Sequence, residues 1–216
     1  MQMTASNLTR QAVARRLLAL EAVKFSPDAP FRWASGWLSP IYCDNRLTLS
    51  DPETRRYIKM ALSEAIFTEF PEAGGIAGVA TAGLPQAALV ADTLNLPMIY
   101  VRDKAKAHGR KNQIEGKLDT RRPWVVIEDL ISTAGSSLAA VSALRAAGAQ
   151  VVGIAAIFTY GFGVAEQNLK EAQVPWVALS DYTTLIKEAL QQGYVSQEHA
   201  QTLQDWRKDP ENWHPA

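Results

Sequence analysis

Two adjacent acids, Glu128 and Asp129, end an apolar run in the segment VVIEDLISTAGSS, which spans residues 125–137. After Leu130 and Ile131, small hydroxyl residues and a glycine lead into a helical pattern. Backbone N–H groups and the partial positive charge at the start of such a helix favour a phosphate dianion. Because the acids repel that phosphate, they suit a neutral or positive part of the same ligand, such as sugar hydroxyls or hydrated Mg²⁺. The segment therefore predicts a site for a phosphorylated sugar.

The same residues also have a purely structural interpretation, in which Asp129 caps the helix and the hydroxyl residues form an ordinary turn. Two acids at the end of so apolar a strand are costly to bury without a partner, which favours a functional role. The commoner phosphate-binding motifs do not match this segment. A Walker loop requires a lysine after its second glycine, and a dinucleotide-binding loop requires a different glycine spacing.

Two further segments could bind anionic groups. Thr81, Ala82 and Gly83 follow the apolar run GIAGVA and lead into a helical pattern, so their backbone N–H groups could bind a phosphate. The segment VRDKAKAHGRKNQIEG, residues 101–116, is rich in cations and is predicted to be a mobile loop that closes over a polyanion. Its cationic residues are Arg102, Lys104, Lys106, His108, Arg110 and Lys111. The alternatives are an ordinary strand-to-helix turn and a solvated surface loop, respectively.

Strand and helix patterns alternate through the middle of the chain. Continuous apolar strands between residues 75 and 160 predict an open, mainly parallel α/β sheet with helices on both faces. Ligands of such sheets bind beyond the carboxyl ends of the strands, where the three segments lie. Before this core, the spacing predicts one helix over residues 9–23 and another from Pro52 to about Phe70.

The flanking segments suggest a division of the chain into three parts. Residues 1–50 are expected to form an N-terminal helix and a small hood, because FRWASGWLSPIYCDNR at residues 31–46 is aromatic and broken by turn residues. Residues 51–180 are expected to form the α/β core. Residues 181–216 are expected to form two helices that pack on this core, the second of which begins at Ser196.

The composition argues against several classes of protein. In a chain of 216 residues, 22 Lys and Arg balance 22 Asp and Glu, so no general positive field attracts nucleic acid or an anionic membrane. The arginines near the N-terminus are accordingly interpreted as the solvated face of a helix. A single cysteine, Cys43, cannot form an internal disulfide, and neither a signal-peptide core nor a long apolar span is evident. A cytoplasmic location is therefore expected.

Together, the three anion-binding segments resemble the type I phosphoribosyltransferases, whose motif for phosphoribosyl pyrophosphate (PRPP) joins a strand to a helix as VVIEDLISTAGSS does. Within that superfamily, FRWASGWLSPIYCDNR, RDKAKAHGRKNQIEG and AIFTYGF are similar to the bacterial orotate phosphoribosyltransferases. The resemblance covers residues 31–162. It implies the type I phosphoribosyltransferase fold and a pentosyltransferase of pyrimidine (UMP) biosynthesis. The implied reaction joins orotate to PRPP with Mg²⁺, giving orotidine 5′-monophosphate and pyrophosphate.

The resemblance also implies roles for individual residues. Glu128 and Asp129 would hold the ribose hydroxyls, and Asp129 would bind Mg²⁺ directly or through water. The 5′-phosphate would be bound by a loop of Ser132, Thr133, Ala134, Gly135 and Ser136, of which Ser132 also contacts orotate. Pyrophosphate would be bound by Thr81, Ala82, Gly83, Arg102, Lys106 and His108. Because negative charge develops on the departing pyrophosphate, Lys106 is predicted to stabilise it with Arg102 and Mg²⁺, and His108 and Asp129 complete the predicted catalytic set.

In this family the basic loop reaches across a two-fold interface, which predicts an obligate homodimer whose loop 102–116 enters the neighbouring active site. The chain departs from the family pattern at Ala134, where many relatives have glycine, and at Ala34, where some have lysine. Thr159 or Tyr160 stands near the position where some relatives have arginine. The group that pairs with the orotate carboxylate is therefore open. Tyr42 is predicted to offer the pyrimidine an aromatic face, and a core tyrosine is the alternative.

Two other functions fit part of the pattern. An enzyme of the same superfamily that uses a purine would share the acids and the phosphate loop, but not the hood segment or the KAKAHG loop. A regulator that senses PRPP without catalysis would carry a basic patch or a recognition helix, which the balanced charge does not favour.

Overall fold

Helices and strands alternate along the part of the chain that the computed structural model describes, namely residues 2–33, 35–102 and 113–215. Its α-helices are α1 (Asn7–Ala19), α2 (Pro52–Glu69), α3 (Leu84–Leu94), α4 (Gly135–Ala146), α5 (Gly163–Glu171), α6 (Tyr182–Gln191) and α7 (Gln197–Lys208). Its strands are β1 (Gln2–Thr4), β2 (Val23–Phe25), β3 (Phe31–Arg32), β4 (Leu38–Ser39), β5 (Ile41–Cys43), β6 (Gly75–Val79), β7 (Met98–Val101), β8 (Ile114–Glu115), β9 (Pro123–Ile131), β10 (Gln150–Thr159) and β11 (Trp176–Asp181).

Seven of these strands form one sheet in the order β1-β11-β10-β9-β6-β7-β8. Every pairing in the sheet is parallel except that of β8 with β7. The predicted open, mainly parallel sheet is therefore confirmed. Since β9, β6 and β7 are neighbours, the turns that follow their carboxyl ends meet at one edge of the sheet.

Local sequence signals explain where several helices begin. The Asp51 side chain accepts a hydrogen bond from the Thr54 backbone N–H at 2.8 Å, and Pro52 occupies the first turn of α2. In the same way, Ser196 caps α7 by accepting from the His199 backbone N–H at 3.1 Å. The predicted starts of α2 and α7 are thus confirmed. Near the N-terminus, the helix ends at Ala19 rather than near residue 23, because Val23 begins a strand of the hood.

The core lies on both faces of the sheet. One buried cluster joins residues of α1, α2, α3, α6 and α7 to one face, and a second joins α4 and α5 to the other.

The sequence analysis did not predict β1, α5 or β11. Because β1 has only three residues and is defined by its pairing with β11, local pattern carries little information about it. No helix in the described ranges is long and apolar enough to span a membrane.

A small hood stands beside the sheet. It consists of two antiparallel pairs, β2 with β5 and β3 with β4, followed by a short 3-10 helix at Asn45–Leu49. The short strands and turns predicted for residues 31–46 are therefore confirmed. The N-terminal segment also reaches the main sheet through β1. The three-part division of the chain remains a prediction.

Candidate active site

Glu128 and Asp129 lie near the carboxyl end of β9, the central strand of the sheet. Glu128 is 4 % exposed. One oxygen of its carboxyl group accepts hydrogen bonds from the Ser136 hydroxyl at 2.8 Å and the Ser137 hydroxyl at 3.2 Å. The other accepts the Asp129 backbone N–H at 3.1 Å. Neither acid forms an ion pair with a residue that the structure describes. The N-cap of α4 is Ala134, so the alternative that Asp129 caps this helix is wrong.

The two acids resist ionisation because they are adjacent, with Glu128 buried and Asp129 half-buried. Burial, followed by the charge of Asp129, raises the pKa of Glu128 to about 8. Burial also raises the pKa of Asp129, although hydrogen bonding to Glu128 opposes this shift. A nearby cation or donor hydroxyls would favour the charged forms of both groups. The pair therefore suits a ligand that supplies hydroxyls, a metal ion or both.

The loop after β9 presents the N-terminus of α4 beside these acids. Ser132 and Thr133 are half-buried, Gly135 and Ser136 are exposed, and Ala134 adopts a left-handed conformation with φ of 67°. Because Ala134 makes no side-chain cap, the first N–H groups of α4 have no capping acceptor from that residue. We call residues 132–136 the phosphate loop. Its amides and the α4 dipole suit an anion.

The turn after β6 is held directly against β9. Gly83 precedes α3, and a Cβ atom added there would stand 2.6 Å from the Ile127 carbonyl oxygen and 2.9 Å from the Val79 carbonyl oxygen. The same added atom would stand 3.3 Å from the Glu128 Cα atom. Only glycine fits this approach without a shift of the backbone. The predicted turn of residues 81–83 therefore lies next to Glu128, with Thr81 exposed and Ala82 half-buried.

An open pocket of about 500 Å³, which we call the aromatic pocket, separates the hood from the end of β9. Its described lining residues are Arg32, Trp33, Ser35, Trp37, Tyr42, Cys43, Leu130, Ser132, Thr133 and Tyr160. Tyr42 is 41 % exposed, so it is not the core tyrosine that the sequence allowed. Ser132 and Thr133 belong to both the pocket and the phosphate loop. Burial raises the pKa of the Cys43 thiol, which keeps this group protonated and a poor nucleophile.

Two residues that the sequence analysis missed connect the hood to the rest of the molecule. The buried Asn45 side chain donates a hydrogen bond to the Asp129 backbone carbonyl at 2.8 Å. The Trp206 indole N–H donates to the Leu38 backbone carbonyl at 2.9 Å. The Trp206 ring also packs edge-on against Trp33 and Tyr160, with centroid separations of 5.6 and 5.8 Å. An asparagine just after a strand was the only available signal for Asn45, and no local pattern identifies Trp206.

The basic segment connects the two strands of a hairpin. β7 and β8 pair antiparallel, and the Arg102 backbone N–H donates to the Gln113 carbonyl at 2.9 Å. The Arg102 guanidinium lies 3.5 Å from a Glu115 carboxylate oxygen. Lys104, Lys106, His108, Arg110 and Lys111 lie outside the described residues, as does Ala34 in the hood. Arg102 thus stands at the end of β7, the strand that pairs with β6, at the same edge of the sheet as the two acids.

Comparisons with known proteins agree with this geometry. A family model described as the phosphoribosyl transferase domain matches residues 58–176. The chain is 56 % identical to the orotate phosphoribosyltransferase of Cytophaga hutchinsonii over 96 % of this chain and 99 % of the relative. It is also 56 % identical to that of Listeria monocytogenes, over 93 % and 96 % of the two chains. A crystal structure of orotate phosphoribosyltransferase from Aeropyrum pernix superposes with a TM-score of 0.74 at 28 % identity, covering 85 % of this chain and 99 % of the other.

Proposed function

The chain belongs to the orotate phosphoribosyltransferases, pentosyltransferases that join orotate to the phosphoribosyl group of PRPP, and we propose that this reaction takes place at the carboxyl edge of its sheet. The observation that carries this placement is the adjacent acid pair of buried Glu128 and half-buried Asp129, which lies between the phosphate loop and the turn of residues 81–83. The aromatic pocket opens beside the same strand end. A ligand with a phosphate at one end, hydroxyls in the middle and a pyrophosphate at the other end fits this order of groups.

PRPP binds along this edge as follows. The 5′-phosphate lies against the backbone amides of the phosphate loop, Ser132, Thr133, Ala134, Gly135 and Ser136. Glu128 and Asp129 hold the ribose hydroxyls. The Ser136 and Ser137 hydroxyls donate to Glu128 in the structure, and the ribose hydroxyls would either replace these hydrogen bonds or add to them. Thr81, Ala82 and Gly83 receive the pyrophosphate, next to Arg102 at the end of β7.

Mg²⁺ fits this site as an ion shared with the substrate. No group of three or more His, Cys, Asp or Glu within the described ranges could hold a metal by itself. Mg²⁺ is commonly held by only one or two carboxylates together with waters and substrate phosphates, and it neutralises charge that develops on phosphate oxygens. Asp129 is more exposed than Glu128 and is the proposed ligand, directly or through water.

Orotate enters the aromatic pocket, where Tyr42 offers a ring face and Ser132 a hydroxyl. A ring nitrogen of orotate attacks the anomeric carbon and releases its proton to solvent while the bond to pyrophosphate breaks, so the protein needs no nucleophile of its own. Arg102, Lys106 and His108 stabilise the departing pyrophosphate. The role of Lys106 and His108 rests on the resemblance of the basic segment and on the hairpin that carries it.

Conversion of orotate is tested by its ultraviolet absorbance. The protein, Mg²⁺, PRPP and either orotate or a panel of purines are mixed, and consumption of orotate alone is the expected result. Consumption of a purine instead would contradict the assignment of the base.

We also expect Lys106→Ala to lower kcat on the order of a hundredfold without unfolding the protein, because it removes a charge used mainly in the transition state. An unchanged kcat would remove Lys106 from the mechanism.

The proposed assembly is a homodimer in which loop 102–116 completes the neighbouring active site. The proposed location of this homodimer is the cytoplasm. Mixing inactive Lys106→Ala and Asp129→Asn chains under conditions of subunit exchange tests the homodimer directly. If the loop acts across the interface, each mixed dimer has one site with neither substitution, and about a quarter of the wild-type activity should return. A fully active monomer in solution would contradict the proposal.

A further inference from the structure

Orotate differs from uracil by one carboxylate, so a pocket that selects orotate needs a positive charge that the pyrimidine ring alone would not require. The need for this charge rests on the proposed function of the aromatic pocket. An arginine is the best-suited partner, because its planar guanidinium can donate two parallel hydrogen bonds to one carboxylate. The side chains in and near the aromatic pocket show which residue can be that partner.

The described lining of the aromatic pocket contains a single charged side chain, Arg32 on β3. The remaining described lining residues are aromatic, apolar, hydroxyl or thiol residues. A carboxylate placed in this pocket therefore meets one cation, with no acidic residue in the described lining to oppose it. Asp129 and Glu128 are not part of this lining. The substrate carboxylate is thus directed toward the hood.

Thr159 and Tyr160 stand near the position where some relatives have arginine, but neither supplies a charge. Thr159 is 2 % exposed, and its hydroxyl donates to the Ile131 carbonyl and accepts from the Gly161 N–H, at 3.2 and 3.0 Å. Tyr160 is 1 % exposed, and burial raises the pKa of its phenol far above the ordinary value, so its ring stays neutral.

Neighbouring arginines are engaged elsewhere. Arg46 donates two hydrogen bonds to Asp44, at 2.7 and 2.8 Å. Arg207 donates to the carbonyls of Tyr160 and Gly161, both at 3.1 Å, and to the Thr183 hydroxyl at 3.0 Å. Neither residue is part of the described lining of the aromatic pocket.

Arg32 retains most of its capacity to donate. Within the described ranges, its guanidinium makes one side-chain hydrogen bond, to the Gly36 carbonyl at 3.3 Å. An arginine side chain carries five N–H donors, so the others remain available to a ligand. The adjacent Trp33 ring stacks on Trp37 at a centroid separation of 6.4 Å and fixes the hairpin that carries Arg32. We propose that Arg32 pairs with the carboxylate of orotate and so determines the choice of orotate over uncharged pyrimidines.

The test compares Arg32→Met, which keeps the apolar stem, with Arg32→Lys, which keeps the charge. Arg121→Met is the matched control, because Arg121 is an exposed arginine just before the amino end of β9, opposite the site. For Arg32→Met we expect the KM for orotate to rise about tenfold or more, with the KM for PRPP unchanged. Arg32→Lys should lose less, and the control should behave as wild type. The inhibition constant of the neutral carboxamide of orotate should be the same in wild type and Arg32→Met.

The outcomes separate this inference from the function on which it rests. If wild type does not convert orotate, the proposed function is wrong. If wild type converts orotate and Arg32→Met keeps the wild-type KM for it, Arg32 is not the partner of the carboxylate. An equal loss of affinity for orotate and for its carboxamide would show a disturbed hood rather than a lost charge, and would also overturn the inference.

Discussion

The phosphate loop and the aromatic pocket share Ser132 and Thr133 but are built in opposite ways. The phosphate loop and the acids before it come from one continuous segment that runs from β9 into α4. The aromatic pocket is assembled from the hood and the ends of β9 and β10, and the distant helix α7 supports it. A phosphate site can therefore form within one strand, short turn and helix, whereas a site for a particular base needs contacts between remote segments.

The two regions also differ in what holds them. Beside the phosphate loop, Gly83 allows the neighbouring turn to touch the backbone of β9. Side chains dominate around the aromatic pocket, where Trp33, Trp37, Tyr160 and Trp206 pack ring against ring. Substitutions in the first region should therefore impair PRPP binding and the fold together. Substitutions in the second should impair orotate binding more selectively.

The largest effect is expected at Gly83. In Gly83→Ala the new methyl group would meet the carbonyl oxygens of Ile127 and Val79 at 2.6 and 2.9 Å, and backbone atoms cannot move aside cheaply. We expect a loss of about 3 kcal/mol in the free energy of unfolding, measured by urea denaturation. The KM for PRPP should rise more than that for orotate. Gly163→Ala is the control, because a Cβ atom there meets nothing within 4 Å. Equal stability of the two variants would contradict the close contact.

The sequence predicted the region around the phosphate loop far better than the aromatic pocket, and the reason is the same difference in construction. Glu128, Asp129 and the phosphate loop are contiguous, so residue type and order are enough to bring them together. Tyr42 was predicted as a ring face, but whether it lay in a pocket or in the core depended on packing. The contact of Trp206 with Leu38 joins residues 168 positions apart. No local pattern encodes such a distance.

Replacement of Glu128 should change how the Tm of the protein depends on pH. Because the pKa of Glu128 is raised from 4.5 to about 8 on folding, the folded chain holds a proton that the unfolded chain releases. Its contribution to stability is full below about pH 4.5 and is lost as pH rises through about 8. Glu128→Gln removes this dependence, so its Tm relative to wild type should increase by several degrees between these pH values. A difference in Tm that does not vary with pH would contradict the buried, protonated acid.

Trp206 tests whether the aromatic pocket can be disturbed alone. Trp206→Phe keeps a ring but leaves the Leu38 carbonyl without its donor, which should cost about 1–2 kcal/mol in the free energy of unfolding. Because Trp33 and Tyr160 rest on this ring, the KM for orotate should rise severalfold while the KM for PRPP stays unchanged. Trp176→Phe, in β11 on the other side of the core, is the control for lost stability. If both variants change the two KM values alike, Trp206 has no specific role in positioning the pocket.

The smallest effect is expected at Ala134, although the sequence marks it as a departure from the family. Its left-handed φ of 67° favours glycine by about 1 kcal/mol, but its methyl group is 2 % exposed and packs in the second core cluster, which contributes a similar amount. Ala134→Gly should therefore change the free energy of unfolding by less than about 1 kcal/mol. The exposed Ala139 within α4 is the contrast, since Ala139→Gly should destabilise the helix by about 1 kcal/mol. A KM for PRPP that falls about tenfold in Ala134→Gly would show instead that this methyl group limits how closely the phosphate approaches the phosphate loop.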